Sequence, residues 1–478
     1  MRNVLTLLII LCVSALLPEI SSAGDKPNIV LIVADDLGYG ETGAQGNKEI
    51  PTPHIDSLAR DGVRFTSGYV TAPVCAPSRA GFLSGRHQRR FGWNINVMPH
   101  VEGGTEHGIP ASERLLPELL KDAGYATGMV GKWHLGARAD FHPLENGFDS
   151  FFGYLHEGHY YVPPPYKGVT TMLRKSPLPG GRTGMWTAPD GIIYHDRLRN
   201  EPLYDLHNPV LDGRKPVGEF DYLTKTFTRR ATDFIDANKD RPFFLYVSHS
   251  AVHSPLQADN ETMAKFAHID DIHRRIFAAM LSDLDTSVGE IMAKLEEHKL
   301  ANDTLVVFFS DNGGITPELT SSNLPLRGGK MNLYEGGIRV PFMMRWPGRI
   351  PKGKTYSDPI LSLDIYATVA DLIQDHDAVE RSDGVPLLGF LPGETSDIPH
   401  PELVWEYNRQ GAIRSGNWKA IRPRNSKQWE LYDLAEDLSE SNNLASHYPE
   451  RLQELVERWE KTRSAWAKEA KSSEPKQK

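Results

Sequence analysis

The chain has 478 residues, 40% of them hydrophobic and 24% charged, a composition that excludes a disordered or fibrous protein and leaves room for a sizeable core. Its formal charge of −9, from 62 acidic and 53 basic residues, with no basic block outside a Lys-rich C-terminal tail, argues against nucleic acid as a partner. An anionic substrate would therefore have to be held by a few locally placed Arg and Lys residues or by a metal.

Residues 1–23 place Arg2 ahead of an apolar run and end in Ser21-Ser22-Ala23, the pattern of a cleaved secretory signal peptide. The run is shorter than the roughly 20 residues a membrane span needs. No transmembrane segment is expected after cleavage, and the protein is expected to be secreted or periplasmic. Without the signal, Cys75 is the one remaining cysteine. An intrachain disulfide is then impossible, and Cys75 is either a small buried hydrophobe or a reactive group.

Asn28-Ile29-Val30-Leu31-Ile32-Val33-Ala34 is a continuous apolar run ending at Asp35-Asp36, the signature of a strand buried on both faces. Runs beginning at Phe243 and at Leu305 share it, the latter ending at Asp311-Asn312-Gly313-Gly314. Helical periodicity predicts helices over 52–61, 222–238 and 272–300. Alternating buried strands and amphipathic helices predict an α/β fold with a mostly parallel central sheet flanked by helices. The stretch 162–218 is rich in Pro, Gly and aromatic residues without periodicity and reads as a long surface excursion. After Ile398 come short alternating runs and one helix over 449–470, predicting a smaller C-terminal α+β domain on an antiparallel sheet. The expected organisation is a signal peptide at 1–23, a catalytic domain at 24–397, the C-terminal subdomain at 398–470 and a disordered tail at 471–478.

Ligands of parallel sheets gather at the carboxyl ends of the strands. Asp35, Asp36, Asp311 and Asn312 stand at two such ends and form an oxygen-only set suited to calcium or magnesium rather than zinc. The same residues before glycine also serve simply as turn formers.

The segment Pro73-Val74-Cys75-Ala76-Pro77-Ser78-Arg79, continued by Leu83-Ser84-Gly85-Arg86, resembles the signature of the sulfatase family, whose fold is of the alkaline phosphatase type. A second sulfatase-like stretch runs from Gly124 through Gly131-Lys132-Trp133-His134 to Gly136. The resemblance implies that Cys75 is oxidised to formylglycine by a formylglycine-generating enzyme. One hydroxyl of the aldehyde hydrate attacks sulfur, and the other lets the sulfated intermediate collapse without attack by water. It further implies that Arg79 neutralises charge at the nucleophile, Lys132 contacts sulfate oxygens and His134 orients the hydrate. In Ala251-Val252-His253-Ser254-Pro255, which has Val252 where the family usually has proline, His253 matches the general acid. In Leu326-Arg327-Gly328-Gly329-Lys330, Lys330 matches the residue bridging the sulfate and the leaving oxygen. Asp35, Asp36, Asp311 and Asn312, with the oxidised Cys75, match the ligands of one calcium ion, magnesium being the lesser fit.

The loops beyond the sulfate site decide the substrate. His156, His159, Tyr160, Tyr161, Trp186 and Tyr194 suit stacking on sugars. The stretch from Gly85 to Gly92 resembles bacterial arylsulfatases and polysaccharide sulfatases, including those acting on algal galactans. A sulfated glycan is therefore the expected partner. The alternatives are a phosphodiester or phosphonate ester hydrolase of the same superfamily and a glycan-binding protein without catalysis.

Overall fold

The computed structural model describes residues 26–97, 106–197, 200–316, 320–393 and 396–473. The proposed signal peptide lies outside them. Among the described residues, no helix is long and apolar enough to cross a membrane.

A ten-stranded sheet forms the centre. Ser150–Tyr154, Ala126–Lys132, Phe243–Ser248, Asn28–Ala34 and Thr304–Ser310 lie side by side in that order, all parallel. Phe342–Arg345 pairs antiparallel with Thr304–Ser310, and Val63–Phe65 and Lys354–Tyr356 extend that edge. Because successive strand residues point to opposite faces, the Asn28–Ala34 run feeds two cores. Val30, Ile32 and Ala34 pack with the helices Leu223–Asn238 and Ile272–Glu297. Ile29, Leu31 and Val33 pack with Cys75–Ser84 and Asp364–Leu372 on the other face. Each fully buried aliphatic side chain of this kind contributes about 1.5–3 kcal/mol. That double burial is why the run is unbroken rather than alternating.

The excursion is more ordered than its sequence suggests. Val169–Arg174, Met185–Thr187 and Ile193–His195 join Leu256–Asp259 in a separate four-stranded sheet. Strands of three to six residues are too short to show a period among so many glycines and prolines. At the other end, Glu402–Tyr407, Gln410–Ser415, Trp418–Arg422 and Glu430–Asp433 form an antiparallel meander. Trp405 anchors it to the larger part of the fold through an Nε1–H donated to the Val70 carbonyl, 2.8 Å away. The closing helix spans Pro449–Ser473. It continues past Ala470 because Lys471 and the serines after it do not break a helix, so the expected tail overlaps it by three residues; residues 474–478 lie outside the described structure.

Candidate active site

Strand topology brings the candidate residues together. Asp35 and Asp36 follow Asn28–Ala34, Asp311 and Asn312 follow Thr304–Ser310, and Lys132 ends Ala126–Lys132. His253 lies just beyond Phe243–Ser248. All these strand ends point the same way because the strands are parallel. Close strand approach at Lys132 depends on Gly131, whose φ is +111° and whose added Cβ would fall 1.8 Å from the Ser248 carbonyl oxygen.

Cys75 opens the ten-residue helix Cys75–Ser84 after the extended Val74. No Val74 side chain can cap the helix, and Asn96 does so instead by accepting from the Ala76 N–H at 3.0 Å. The helix end therefore presents its positive pole beside Cys75. One turn on, the fully buried Arg79 gives Nε and Nη2 to Asp311 Oδ2 at 2.9 and 2.7 Å. Its Nη1 donates to Tyr246 and to the Lys132 carbonyl at 3.0 and 3.2 Å. Burial opposes its charge, but Tyr246, Asp311 and Asp35 outweigh that and hold the guanidinium cationic.

Two lysines flank the sulfur. Lys330 Nζ is 3.2 Å from Cys75 Sγ and 2.6 Å from Asp36 Oδ1. Lys132 Nζ, wholly buried, is 2.6 Å from Asp35 Oδ2. Cys75 Sγ is 3.4 Å from Asp35 Oδ1. Burial raises the Asp36 carboxyl, yet Lys330, His253 and Lys132 together bring it down to about 2. Burial, and then Asp35, push the Cys75 thiol far up despite the two ammoniums, so the unmodified thiol stays protonated and is a poor nucleophile.

His253 Nδ1 donates to the Ser254 carbonyl, which leaves Nε2 facing Asp36 Oδ2 at 3.6 Å. Burial and then Lys330 lower this ring to about 3, so it is neutral in the free protein. Tyr161 holds its turn, donating its hydroxyl to the Ser250 and His253 carbonyls at 2.6 and 3.0 Å. His134 makes no hydrogen bond to the Cys75 sulfur. Its Nε2 donates to the Val97 carbonyl at 2.8 Å, and its Nδ1 is buried without a hydrogen-bond partner. Burial keeps that ring neutral. His249 belongs to the core, with Nε2 on Ser287 at 2.9 Å.

The oxygen-rich set fits a hard cation. Ligand atoms of Asp35, Asp36, Cys75 and His253 lie within 4.8 Å of one another. Asn312 donates its amide to Asp36 Oδ1 at 2.7 Å, while its Oδ1 is buried without a partner. A buried acceptor without a donor, amid carboxylates, is what a cation ligand offers.

Sequence reasoning missed Tyr246 and Ser248, which orient Arg79 and the Lys132 backbone, and read Tyr161, which holds the His253 turn, as a sugar-stacking residue. Nothing local marks them, since their partners are far away in sequence. Of the aromatics proposed for sugar stacking, Tyr161 packs in the core and Tyr160 beside Leu173 and Tyr204, while His156 and His159 are buried. Trp186 and Tyr194 stack on each other at 5.8 Å.

Residues 27–375 match the sulfatase family model, and residues 329–465 match that of the N-sulphoglucosamine sulphohydrolase C-terminal region. Human steryl-sulfatase is 34% identical over 81% of this chain and 73% of its own length. An N-acetylgalactosamine-6-O-sulfatase of Bacteroides thetaiotaomicron is 31% identical over 90% and 92%. Among solved structures, Ps i-CgsB in complex with k-i-k-neocarrahexaose superposes with a TM-score of 0.80 at 33% identity, covering 92% of this chain and 93% of that one. With the family model spanning most of the chain, and with its strand ends gathered around Cys75, this protein belongs to the sulfatase family and is a sulfatase.

Proposed function

We propose that the enzyme removes sulfate from a sulfated carbohydrate, using formylglycine made from Cys75 and one calcium ion. The observation that carries this reading is the placement of Lys132, Lys330 and Arg79 around the Cys75 position, with three carboxylates and Asn312 beside them. Oxidised by a formylglycine-generating enzyme, residue 75 supplies a hydrated aldehyde as nucleophile. Asp35, Asp36, Asp311, Asn312 and residue 75 would hold calcium, which supplies Lewis-acid polarisation of a sulfate oxygen.

The chain's own groups do the rest. Lys132 and Lys330 bind the sulfate oxygens and stabilise the charge that gathers on them as the S–O bond breaks. Arg79 holds Asp311 in place and adds a fixed positive charge. The bare Nδ1 of His134 is an acceptor suited to one hydroxyl of the hydrate. His253 lends its proton to the leaving oxygen from Nε2. A bound sulfate anion offsets the ammoniums that keep the ring neutral, so substrate binding itself favours protonated His253.

Support for a glycan comes from the N-acetylgalactosamine-6-O-sulfatase relative and from the neighbour solved with neocarrahexaose. The apolar segment at 1–23 supports a secreted or periplasmic enzyme. The phosphonate monoester hydrolase of Agrobacterium radiobacter, at 18% identity, shares the fold alone. A catalytically silent binding protein is disfavoured because Cys75, Arg79, Lys132, His134, His253 and Lys330 are all in place.

The test is sulfate release from a panel of sulfated galactans and glycosaminoglycan oligosaccharides, with a phosphodiester alongside. Release from at least one glycan, abolished by Cys75→Ala, supports the reading. Faster turnover of the phosphodiester contradicts it.

A further inference from the structure

We propose that the C-terminal sheet completes the substrate cleft, where Arg409 and Arg424 bind a second anionic group, on a sugar neighbouring the one that loses its sulfate. The inference rests on the sulfatase reading of the Cys75 site and narrows its substrate to a multiply charged chain.

The hairpin between Glu402–Tyr407 and Gln410–Ser415 turns at Asn408, whose φ is +54°, and at Arg409. Its tip is clamped to the loop that carries Lys330. Gln410 Nε2 donates to the Met331 carbonyl at 2.8 Å, and Gln410 Oε1 accepts from the Leu333 N–H at 3.2 Å. Met331 N–H in turn donates to the Pro73 carbonyl at 2.8 Å, two residues before the nucleophile. Arg409 therefore stands one residue from a clamp on the loop whose Lys330 touches Cys75 Sγ.

Pairing of Gly411 with Arg422 brings the following loop, with Arg424, to the same end of the sheet. Tyr407 links this end to the catalytic centre. Burial raises its phenol, and Lys330, Arg424 and Cys75 are all close enough to act on its charge. Both arginines are exposed, and among the described residues neither makes a side-chain hydrogen bond or an ion pair.

Nearby arginines differ. Arg327 is spent on Tyr432 and the Glu440 carbonyl, and Arg414 on Tyr69 and the Gly416 carbonyl. In a chain of net charge −9, two uncommitted guanidiniums beside an anion site form a local basic rim. Guanidinium forks match sulfate and carboxylate groups in geometry. A neutral sterol or a singly sulfated aryl ester would give this rim nothing to bind.

The experiment compares the parent with the double variant Arg409→Ala/Arg424→Ala, and with Lys239→Ala as an exposed control at the end of the helix Leu223–Asn238. Binding of dextran sulfate to the full-length protein is measured at several salt concentrations, together with KM and kcat on whichever multiply sulfated oligosaccharide the parent desulfates. The double variant is expected to bind dextran sulfate about tenfold more weakly with a shallower salt dependence, and to raise KM with kcat held. Lys239→Ala should match the parent. Dextran sulfate binding equal to the parent's, or a fall in kcat with KM unmoved, overturns the proposal. A parent that binds dextran sulfate through these arginines yet releases no sulfate from any glycan leaves the rim standing and overturns the reading of the reaction.

Discussion

The Lys132 ammonium lies 2.6 Å from the Asp35 carboxylate, with both side chains wholly buried. Removing one partner strands the other charge out of water, a loss of about 3–5 kcal/mol in stability. Lys132→Met should therefore destabilise the protein by that amount and lower kcat/KM about a thousandfold. The double variant Lys132→Met/Asp35→Asn should recover part of the stability and none of the activity. Urea unfolding and sulfate-release kinetics check both halves.

Arg79→Lys keeps a charge and loses the fork. A lysine cannot span Asp311, Tyr246 and the Lys132 carbonyl at once. Activity should fall about a hundredfold, with Asp311 left less firmly placed. An activity near the parent's would mean that Arg79 acts as a point charge alone.

Gly131→Ala tests the close approach of two strands. The new methyl would meet the Ser248 carbonyl at a φ that L-residues avoid. A loss above about 3 kcal/mol is expected, read as a lower Tm or as insoluble protein. Gly46→Ala, with open space around it though also at positive φ, should cost less.

Calcium removal should act on stability as well as on rate. Without a cation, Asp35, Asp36 and Asp311 are left to the lysines and Arg79 alone. Calcium at a hundred times its Kd should add about 2.7 kcal/mol, visible as a Tm that falls with EGTA and returns with calcium more fully than with magnesium.

His400 supplies a pH dependence away from the active site. Its Nε2 is 2.7 Å from Asp364 Oδ1. Burial lowers its pKa, but Asp364 outweighs this and holds it above the ordinary 6.5. The folded value exceeds the unfolded one, so the stabilisation is complete below pH 6.5 and is lost as pH rises through the folded value. The parent should lose more stability than His400→Gln over that rise. Unfolding at a series of pH values measures the difference.

Much of this was legible in the sequence, and the reasons are physical. Strands such as Asn28–Ala34 are buried on both faces, so their apolar runs are unbroken and stand out. The Ile272–Glu297 helix shows its period because one face is core along its whole length. The site residues were readable because they cluster in short signatures around Cys75, Lys132 and Lys330. Edge strands such as Val63–Phe65 span three residues and leave no pattern. The pairing of Lys132 with Asp35, 97 residues apart, follows from strand order, which no local motif encodes. The aromatics of the excursion misled because composition does not say which rings face a cleft. Tyr161 packs into the core beneath the central sheet.

The proposed nucleophile is an oxidised residue 75 rather than a thiol. Peptide mass spectrometry across Cys75, on active protein from its native host, tests it most directly. A loss of about 18 mass units at that residue, as thiol becomes aldehyde, is expected in protein that releases sulfate. An unmodified thiol in fully active protein would contradict it.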